Sequence, residues 1–309
     1  MANESYDLVI VGSGPAGLTA GLYAVRYKLK TLVIGKINGG LMTESHKICN
    51  FPTEKDIAGI DLSKKMADNA TSQGVIIVND EIVDIKKEGE YFEVKLVSGK
   101  NFSTKTIILA SGTTHRYLGL DKEKEFLGRG LSYCATCDGM FFKNKMVGVV
   151  GGSDSALTSA LYLSDLAEKV YLIYRGQKLR GEPVWVEKIY QQNNIEVLLE
   201  TNITKLIGNE KLTDIELDKP YQEQNSLKLD GLFIEIGHTP ELGDYIKKMG
   251  IEINEQGYLK VGLDQKTTCP GIWAAGDITT NSNGFRQIIT ACAEGAVAAE
   301  NVFHHIQSL

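Results

Sequence analysis

The sequence predicts an α/β fold made of two Rossmann-like, three-layer ββα domains, the second inserted in the first. Three observations support this prediction. A short apolar run, Tyr6 to Val11, leads directly into a glycine-rich turn and a helical pattern. The same succession starts again at Lys145, in the middle of the chain. Another short strand pattern ends at Gly276-Asp277, so both chain ends are expected to build one domain around the inserted one.

The first glycine-rich turn is Gly12-Ser13-Gly14-Pro15-Ala16-Gly17. The first two glycines of such a turn let the backbone bend and approach a pyrophosphate, and the third lets the helix pack on the strand. The helix N-terminus adds amide donors and the positive end of its dipole. The turn therefore predicts a dinucleotide site. The next predicted strand, Lys30 to Ile34, ends at Gly35-Lys36 without the acid that often binds the adenosine ribose, so the ribose must be held otherwise.

Composition limits the class of protein. A length of 309 residues suggests about two domains, and 43% hydrophobic with 23% charged residues is ordinary for a globular protein. The net charge of −6 argues against a general nucleic-acid binder. The N-terminus lacks a signal-peptide pattern and no apolar run reaches membrane-spanning length, so a cytoplasmic protein is expected. Five cysteines are too few for a secreted disulfide framework.

The region between the first turn and the middle of the chain is expected to supply loops and small strands. The stretch from Gly39 to Pro52, with Gly40 and Asn50, is predicted to be a flexible turn followed by a loop. A helix is predicted over Asp61 to Gln73, and short antiparallel strands over Val75 to Leu109. A domain crossing is expected close to Thr113, just after the run TIILASG.

The segment SYCATCDGMFF, Ser132 to Phe142, contains a Cys-X-X-Cys pair with an acid directly behind it. Cys134 and Cys137 can form a small disulfide ring, and such thiols exchange with other disulfides because their pKa is lowered. Asp138 is placed to transfer a proton. The pair could instead be half of a zinc site or two buried thiols, but no second Cys-X-X-Cys or His pair completes a zinc site, and no metal site is predicted.

The second glycine-rich turn, Gly151-Gly152-Ser153-Asp154-Ser155-Ala156, is a degraded copy of the first. Ser153 stands where the second glycine should let a pyrophosphate approach bare backbone. The strand that follows, Val170 to Ile173, leads to Arg175, Gly176 and Arg180. Arginines here suit the 2′-phosphate of NADP, although a solvated charged loop explains them as well.

The C-terminal region contributes a turn, a short strand and a helix. Thr268 to Asp277 contains the turn and a strand whose last residues are small and then acidic. An acid at the C-terminal edge of a parallel sheet is well placed to bond a ribityl or ribose hydroxyl. Phe285-Arg286-Gln287 opens an Ala-rich helix that is expected to run to about Phe303.

Together, GSGPAG, SYCATCDG, WAAGD and FRQIITA resemble the low-molecular-weight thioredoxin reductases over essentially the full chain. The resemblance implies an FAD-binding domain formed by residues 1–113 and 243–309, and an inserted NAD(P)H-like domain, residues 114–242, that carries the redox disulfide. It implies that Cys137 lies beside the flavin, that Cys134 attacks thioredoxin and that Asp138 handles the proton. The positions that match the FAD contacts of the family are Gly12, Gly14, Pro15, Ala16, Gly17, Gly40, Asn50, Gly276, Asp277, Arg286 and Gln287.

The sequence departs from the family pattern at positions that would bind NADPH, and these departures bear on the identity of the electron donor. Members that use NADPH usually have glycine at the position of Ser153, and a His-Arg-Arg run where this chain has Tyr174-Arg175-Gly176, with Arg180 retained. The loss of one bidentate phosphate contact should cost about 1.5–3 kcal/mol. These changes resemble the ferredoxin-dependent flavin thioredoxin reductases, so reduced ferredoxin is the predicted donor and NADPH binding is doubtful.

Alternatives differ in their donor, substrate or class. The chain could be an NADPH-dependent thioredoxin reductase with weaker nucleotide contacts, a reductase of another dithiol protein, or a flavin-bound redox sensor without steady turnover. The resemblance also implies a homodimer, with thioredoxin as the partner of the disulfide and no nucleic-acid or membrane partner.

Overall fold

The computed structural model describes residues 4–309, and its contacts divide this part of the chain into two units. Unit 1 consists of the described residues up to Thr114 together with Thr239–Leu309, and unit 2 consists of His115–His238. Both units are α/β, which confirms the predicted fold class.

Helices alternate with strands in parts of the chain, but two runs, residues 76–115 and 195–240, contain only strands. The strands are β1 (Glu4–Val11), β2 (Thr31–Gly35), β3 (Ile76–Asn79), β4 (Ile82–Glu88), β5 (Tyr91–Leu96), β6 (Asn101–Leu109), β7 (Thr113–His115), β8 (Leu131–Ser132), β9 (Met146–Val150), β10 (Lys169–Tyr174), β11 (Ile195–Leu199), β12 (Ile203–Gly208), β13 (Leu212–Tyr221), β14 (Gln224–Lys228), β15 (Gly231–Ile234), β16 (His238–Pro240) and β17 (Ile272–Ala274). The helices are α1 (Pro15–Arg26), α2 (Gly59–Ser72), α3 (Glu123–Phe126), α4 (Ala135–Asp138), α5 (Asp154–Ser164), α6 (Pro183–Gln191), α7 (Asp244–Lys248) and α8 (Ile288–Gln307).

The sheet of unit 1 has the order β3-β2-β1-β6-β5-β4, and β17 also pairs with β6. The prediction of antiparallel strands throughout Val75 to Leu109 is wrong at both ends. β3 pairs in parallel with β2, and β6 pairs in parallel with β1 and β17; only the β4–β5 and β5–β6 pairs are antiparallel. The last four residues of β6 are all buried, as expected for a parallel strand covered on both faces.

Helices α1 and α8 pack closely in unit 1 because small residues line their contact. A Cβ at Gly295 would lie 2.2 Å from the carbonyl oxygen of Ala16. Helix α8 begins at Ile288, three residues after the predicted start, because Gln287 is its N-cap and forms a capping box with Thr290. The turn predicted after Gly39 is a 3-10 helix, Gly40–Glu44.

Unit 2 has a parallel sheet of order β11-β10-β9-β15-β8 and a separate antiparallel sheet of order β12-β13-β14. The strand–turn–helix succession β9, Gly151, α5 repeats that of β1, Gly12, α1. Helix α6 was not predicted, although Pro183 at its first turn is a start signal. Within residues 4–309, no helix has the length and apolar content of a membrane span.

Candidate functional site

Cys134 and Cys137 form a disulfide at the two ends of a single helical turn in unit 2. Cys134 is the N-cap of α4, and its sulfur accepts a hydrogen bond from the backbone N–H of Cys137 at 3.1 Å. Cys137 is exposed, whereas Cys134 is half-buried. The disulfide confirms the predicted pairing of Cys134 with Cys137.

Ser132, which the sequence analysis did not select, links the disulfide to the acid behind it. The Ser132 hydroxyl is buried, accepts the backbone N–H of Cys134 at 3.0 Å and donates to Asp138 Oδ2 at 2.6 Å. The carboxylate is therefore fixed over the turn that carries both sulfurs. The sequence does contain a local signal for this arrangement, because a serine two residues before another residue often accepts that residue's N–H.

The residues that follow the disulfide anchor the redox segment on the core of unit 2. Gly139 follows α4 directly, and a Cβ there would lie 2.8 Å from the Tyr162 ring of α5. Phe142 covers Gly231 and packs edge-on against Phe233, with ring centroids 5.3 Å apart. The cysteines thus project from a rigid base, which limits the reorganisation needed for disulfide exchange.

The first glycine-rich turn in unit 1 is shaped by two close backbone contacts. Gly12 has φ +110°, and a Cβ there would lie 2.1 Å from the carbonyl oxygen of Ala110. A Cβ at Gly17 would lie 1.9 Å from the carbonyl oxygen of Gly12, so α1 packs directly on the end of β1. The atom nearest to a Cβ at Gly14 is the Gly39 carbonyl oxygen at 3.8 Å, so the protein's own atoms do not require glycine there. The close approach of a ligand would explain it.

Segments far apart in sequence meet around this turn. A Cβ at Gly40 would lie 3.7 Å from the Cα of Gly14, and one at Gly276 would lie 2.8 Å from the Cβ of Ala16. Asn50 Nδ2 donates to Gln287 Oε1 at 3.1 Å across 237 residues of sequence. All eleven positions predicted to contact FAD belong to unit 1, and these contacts bring Gly14 close to Gly40, Ala16 close to Gly276 and Asn50 close to Gln287.

Asp277 and Arg286 lie at the C-terminal edge of the sheet of unit 1. Burial raises the pKa of Asp277 to about 6, with the charge of Arg286 opposing the shift and that of Glu294 adding to it. Arg286 Nε donates to the Asp277 carbonyl oxygen at 3.3 Å, and its guanidinium lies 3.8 Å from the centre of the Tyr258 ring. No donor from residues 4–309 reaches the Asp277 carboxylate, so this acid is free to accept a ligand hydroxyl.

These observations fit a dinucleotide with a ribityl or ribose hydroxyl at Asp277 and phosphates at the N-terminus of α1. Pro15 occupies the first position of α1, where no hydrogen bond is lost, and no side chain caps this end. Lys36, which stands where a ribose-binding acid was missing, pairs with Glu81 at 2.8 Å. A carboxylate thus reaches the end of β2 from the segment after β3.

The second glycine-rich turn, in unit 2, is closely packed against other residues of that unit. Gly151 has φ +147°, and a Cβ there would lie 2.2 Å from the Glu235 carbonyl oxygen. Ser153 is the N-cap of α5 in an extended conformation, and its side chain makes no capping hydrogen bond. Its conformation does not require glycine, so the serine replaces bare backbone without strain.

Tyr174, at the end of β10, lies over two glycines of this turn region. A Cβ at Gly152 would lie 2.6 Å from its ring, and a Cβ at Gly176 would lie 2.5 Å from it. Arg180 donates its backbone N–H to the Gly152 carbonyl oxygen at 2.6 Å, and its guanidinium lies 5.7 Å from the Tyr174 ring. Arg175 and Arg180 are exposed. Gly176 is therefore required by the tyrosine ring, and an arginine at position 176 would displace it.

Comparisons with known proteins agree with this arrangement. Residues 6–295 match the family described as pyridine nucleotide-disulphide oxidoreductase. The thioredoxin reductase of Listeria innocua is 36% identical over 100% of this chain and 97% of its own length. The Lactococcus lactis thioredoxin reductase, solved in its FR conformation, matches with TM-score 0.92 and 34% identity over 98% of this chain and 100% of that one. A ferredoxin-flavin thioredoxin reductase from Clostridium acetobutylicum matches with TM-score 0.55 and 29% identity over 100% of both chains.

The chain therefore belongs to the pyridine nucleotide-disulphide oxidoreductase family and, within it, to the low-molecular-weight thioredoxin reductases. This confirms the predicted enzyme class, an oxidoreductase that acts on a sulfur group. Among the residues that the structure describes, no group of three His, Cys, Asp or Glu side chains is placed to hold a metal ion.

Proposed function

We propose that this protein transfers two electrons from bound FAD through the Cys134–Cys137 disulfide to the disulfide of thioredoxin. The observation that carries the proposal is a closed Cys-X-X-Cys disulfide on a rigid turn, with the carboxylate of Asp138 fixed beside it by Ser132. Its place in a family of disulfide oxidoreductases supports the same chemistry. Reduction of thioredoxin by the purified yellow protein, followed by the appearance of thioredoxin thiols, tests it directly.

FAD, when bound, supplies the electron pair that opens the disulfide. After reduction, the Cys134 thiolate attacks one sulfur of thioredoxin, which breaks the thioredoxin disulfide and forms a mixed disulfide. The Cys137 thiolate then attacks Cys134, closes the ring and releases the second thioredoxin thiol. Two electrons and two protons reach thioredoxin in each cycle.

Asp138 is proposed to hold the proton that the cysteines exchange during this cycle. Its carboxylate lies in the same helical turn as both sulfurs, and the Ser132 hydroxyl occupies one of its two oxygens. The other oxygen stays available for a proton from, or to, a thiol. This division gives Ser132 a positioning role and Asp138 the proton-transfer role.

FAD is proposed to bind in the cleft of unit 1, where Gly14 and Gly40 leave bare backbone for the pyrophosphate. Asp277 would accept a ribityl hydroxyl, and Arg286, Gln287 and Asn50 would contact other polar groups of the cofactor. In this proposal the cleft residues bind and orient the flavin but take no part in the disulfide exchange.

Asp277 should make the apoprotein less stable at neutral pH. Because its pKa is raised to about 6, the folded state keeps a proton that the unfolded state loses between about pH 4 and 6. Stability therefore falls as pH rises through this window, and the rise of the pKa from its ordinary value of 3.8 corresponds to at most about 3 kcal/mol. We expect Asp277→Asn apoprotein to be more stable than wild type at about pH 8 and no more stable at about pH 4.

Denaturant unfolding of both apoproteins measures this difference. The chain has 2 tryptophans, Trp185 and Trp273. In a Trp185→Phe background, the fluorescence of Trp273, which is buried in unit 1, reports the unfolding of that unit. Equal stability of the Asp277→Asn and parent apoproteins at about pH 8 would contradict the expectation.

For the electron donor, the comparisons favour the alternative, a pyridine nucleotide, over the predicted ferredoxin. The family is named for a pyridine nucleotide, and its match runs through all of unit 2. We therefore infer that NADPH is the donor and that it binds weakly at the Gly151–Ala156 turn. Reduced ferredoxin is the second candidate, because Ser153, Tyr174 and Gly176 weaken the nucleotide site and a ferredoxin-flavin thioredoxin reductase is among the structural matches.

An anaerobic titration of the flavin with NADPH and then with reduced ferredoxin separates these donors. We expect NADPH to bleach the flavin. The Kd of NADPH should be about one to two decades higher for the wild type than for a Ser153→Gly/Tyr174→His/Gly176→Arg variant. Gly176→Arg alone should not tighten binding, because its Cβ would lie 2.5 Å from the Tyr174 ring. Bleaching by ferredoxin but not by saturating NADPH would overturn the inference.

The homodimer that the family resemblance implies is also proposed for this protein. Sedimentation velocity of the FAD-loaded enzyme tests it, and a sedimentation coefficient that fits a single 33.9 kDa chain would contradict it.

A further inference from the structure

Glu294 is a buried carboxylate in the middle of α8, with 6% of its surface exposed. Three donors from one short segment satisfy it. Its Oε2 accepts the backbone N–H of Gly276 at 2.8 Å and the Thr279 hydroxyl at 2.9 Å, and its Oε1 accepts the Ser282 hydroxyl. Burying a carboxylate costs free energy unless such bonds replace its hydration, so the segment and the acid are matched to each other.

The segment that Glu294 holds, Gly276 to Ser282, contains Asp277 and has a backbone that would not be stable alone. Gly276 has φ +81°, and Ser282, although not glycine, has φ 53°. Non-glycine residues in the left-handed region persist where surrounding contacts determine their conformation. The hydrogen bonds from Gly276, Thr279 and Ser282 to a single carboxylate supply part of that determination, and backbone bonds between Leu259 and the segment supply the rest.

The peptide group before Gly276 and the peptide group after Asp277 are both held by side chains from outside the segment. Glu294 accepts the N–H of Gly276 on one side, and Arg286 donates to the carbonyl oxygen of Asp277 on the other. The backbone on both sides of the Gly276-Asp277 pair is thus held by one acid and one base. Glu294 and Arg286 are also the charged groups whose fields act on the Asp277 carboxyl.

We propose that Glu294 is a positioning residue of the flavin site, whose hydrogen bonds fix the Asp277 segment for the cofactor and whose charge acts on the Asp277 carboxylate. This rests on the proposed FAD site. Since an ionised acceptor forms a stronger hydrogen bond to a hydroxyl, FAD affinity should fall as Asp277 takes up a proton. Burial and Glu294 raise the pKa of Asp277, and Arg286 lowers it.

Two variants separate the two effects of Glu294. Glu294→Gln has the same shape, can keep the three contacts if the Ser282 hydroxyl reverses, and loses the charge. Glu294→Ala loses both contacts and charge. Glu300→Gln, an exposed position of the same helix, is the matched control.

The experiment measures the Kd of FAD for each apoprotein, by quenching of flavin fluorescence, from about pH 8 to about pH 5. We expect Glu294→Gln to bind FAD at about pH 8 within about threefold of wild type and to lose affinity at a lower pH than wild type does. We expect Glu294→Ala to bind FAD at least tenfold more weakly at every pH, and Glu300→Gln to match wild type.

The outcomes distinguish this inference from the proposed function. If wild type binds FAD and reduces thioredoxin, but Glu294→Gln has the pH profile of wild type or Glu294→Ala the affinity of wild type, Glu294 is not a positioning residue. If wild type binds no FAD, the proposed flavin site itself fails. Should Glu294→Ala not fold, Thr279→Val removes one of the three donors, and unchanged FAD affinity in that variant would also contradict the proposal.

Discussion

The Cys134→Ser enzyme is expected to keep FAD and lose thioredoxin reduction entirely. The proposed FAD site is made of residues of unit 1, whereas Cys134 belongs to unit 2, so we expect the substitution to leave the cofactor contacts unchanged. A serine cannot form the mixed disulfide at neutral pH, and without it no electrons reach thioredoxin. The measurement is the rate of thiol formation on thioredoxin, together with the flavin content of the purified variant.

Two further variants test the roles of the two sulfurs. Cys137→Ser should trap a stable mixed disulfide between Cys134 and thioredoxin, because the resolving thiol is missing. Cys49→Ser is the control, since Cys49 is an exposed free cysteine in unit 1 and should not affect turnover. If instead Cys134→Ser traps thioredoxin on the more exposed Cys137, the attacking and resolving roles are reversed.

Asp138→Asn should lower the rate of thioredoxin reduction by about 10²- to 10⁴-fold, the range typical of a lost proton-transfer group. Asparagine can still accept the Ser132 hydrogen bond, so the fold and the disulfide should be retained. A single-turnover measurement of flavin reoxidation by thioredoxin isolates the affected step. Asp165→Asn, an exposed position in unit 2, is the matched control.

Ser132→Ala refines this prediction. Loss of the hydroxyl should release the Asp138 carboxylate and lower the same rate by a smaller factor, about tenfold. An Asp138→Asn enzyme with wild-type single-turnover kinetics would show that another group carries the proton.

The parts of the site that depend on local sequence could be predicted from it. Glycine-rich turns that follow apolar strands have one structural use, and a Cys-X-X-Cys pair closes a ring by its spacing, so Gly12 and Cys134 were found without a structure. The hydrogen bond between the side chains of Asn50 and Gln287 joins the N-terminal and C-terminal parts of the chain. Only the resemblance to a known family suggested that these two residues share a site.

Other features depend on contacts that one sequence does not reveal. Glu294 reads as an ordinary helical acid until the fold brings Gly276 and Ser282 to it. β3 was assigned to antiparallel strands because a short apolar run does not show which neighbour it will pair with. Gly176 was interpreted as a lost arginine, whereas the structure shows that the Tyr174 ring needs the space.

The most direct test of the proposed electron path from FAD to thioredoxin is a reaction of the FAD-loaded enzyme with thioredoxin that does not depend on the natural electron donor. The wild-type enzyme is reduced anaerobically with two equivalents of dithionite, one for FAD and one for the Cys134–Cys137 disulfide, and the Cys134→Ser enzyme with one. Each is mixed with oxidised thioredoxin while the flavin absorbance is followed. We expect the wild-type flavin to be reoxidised as one thioredoxin disulfide is reduced for every two electrons, and the Cys134→Ser enzyme to stay reduced. A wild-type flavin that remains reduced beside oxidised thioredoxin would contradict the proposed path of electrons through the Cys134–Cys137 disulfide.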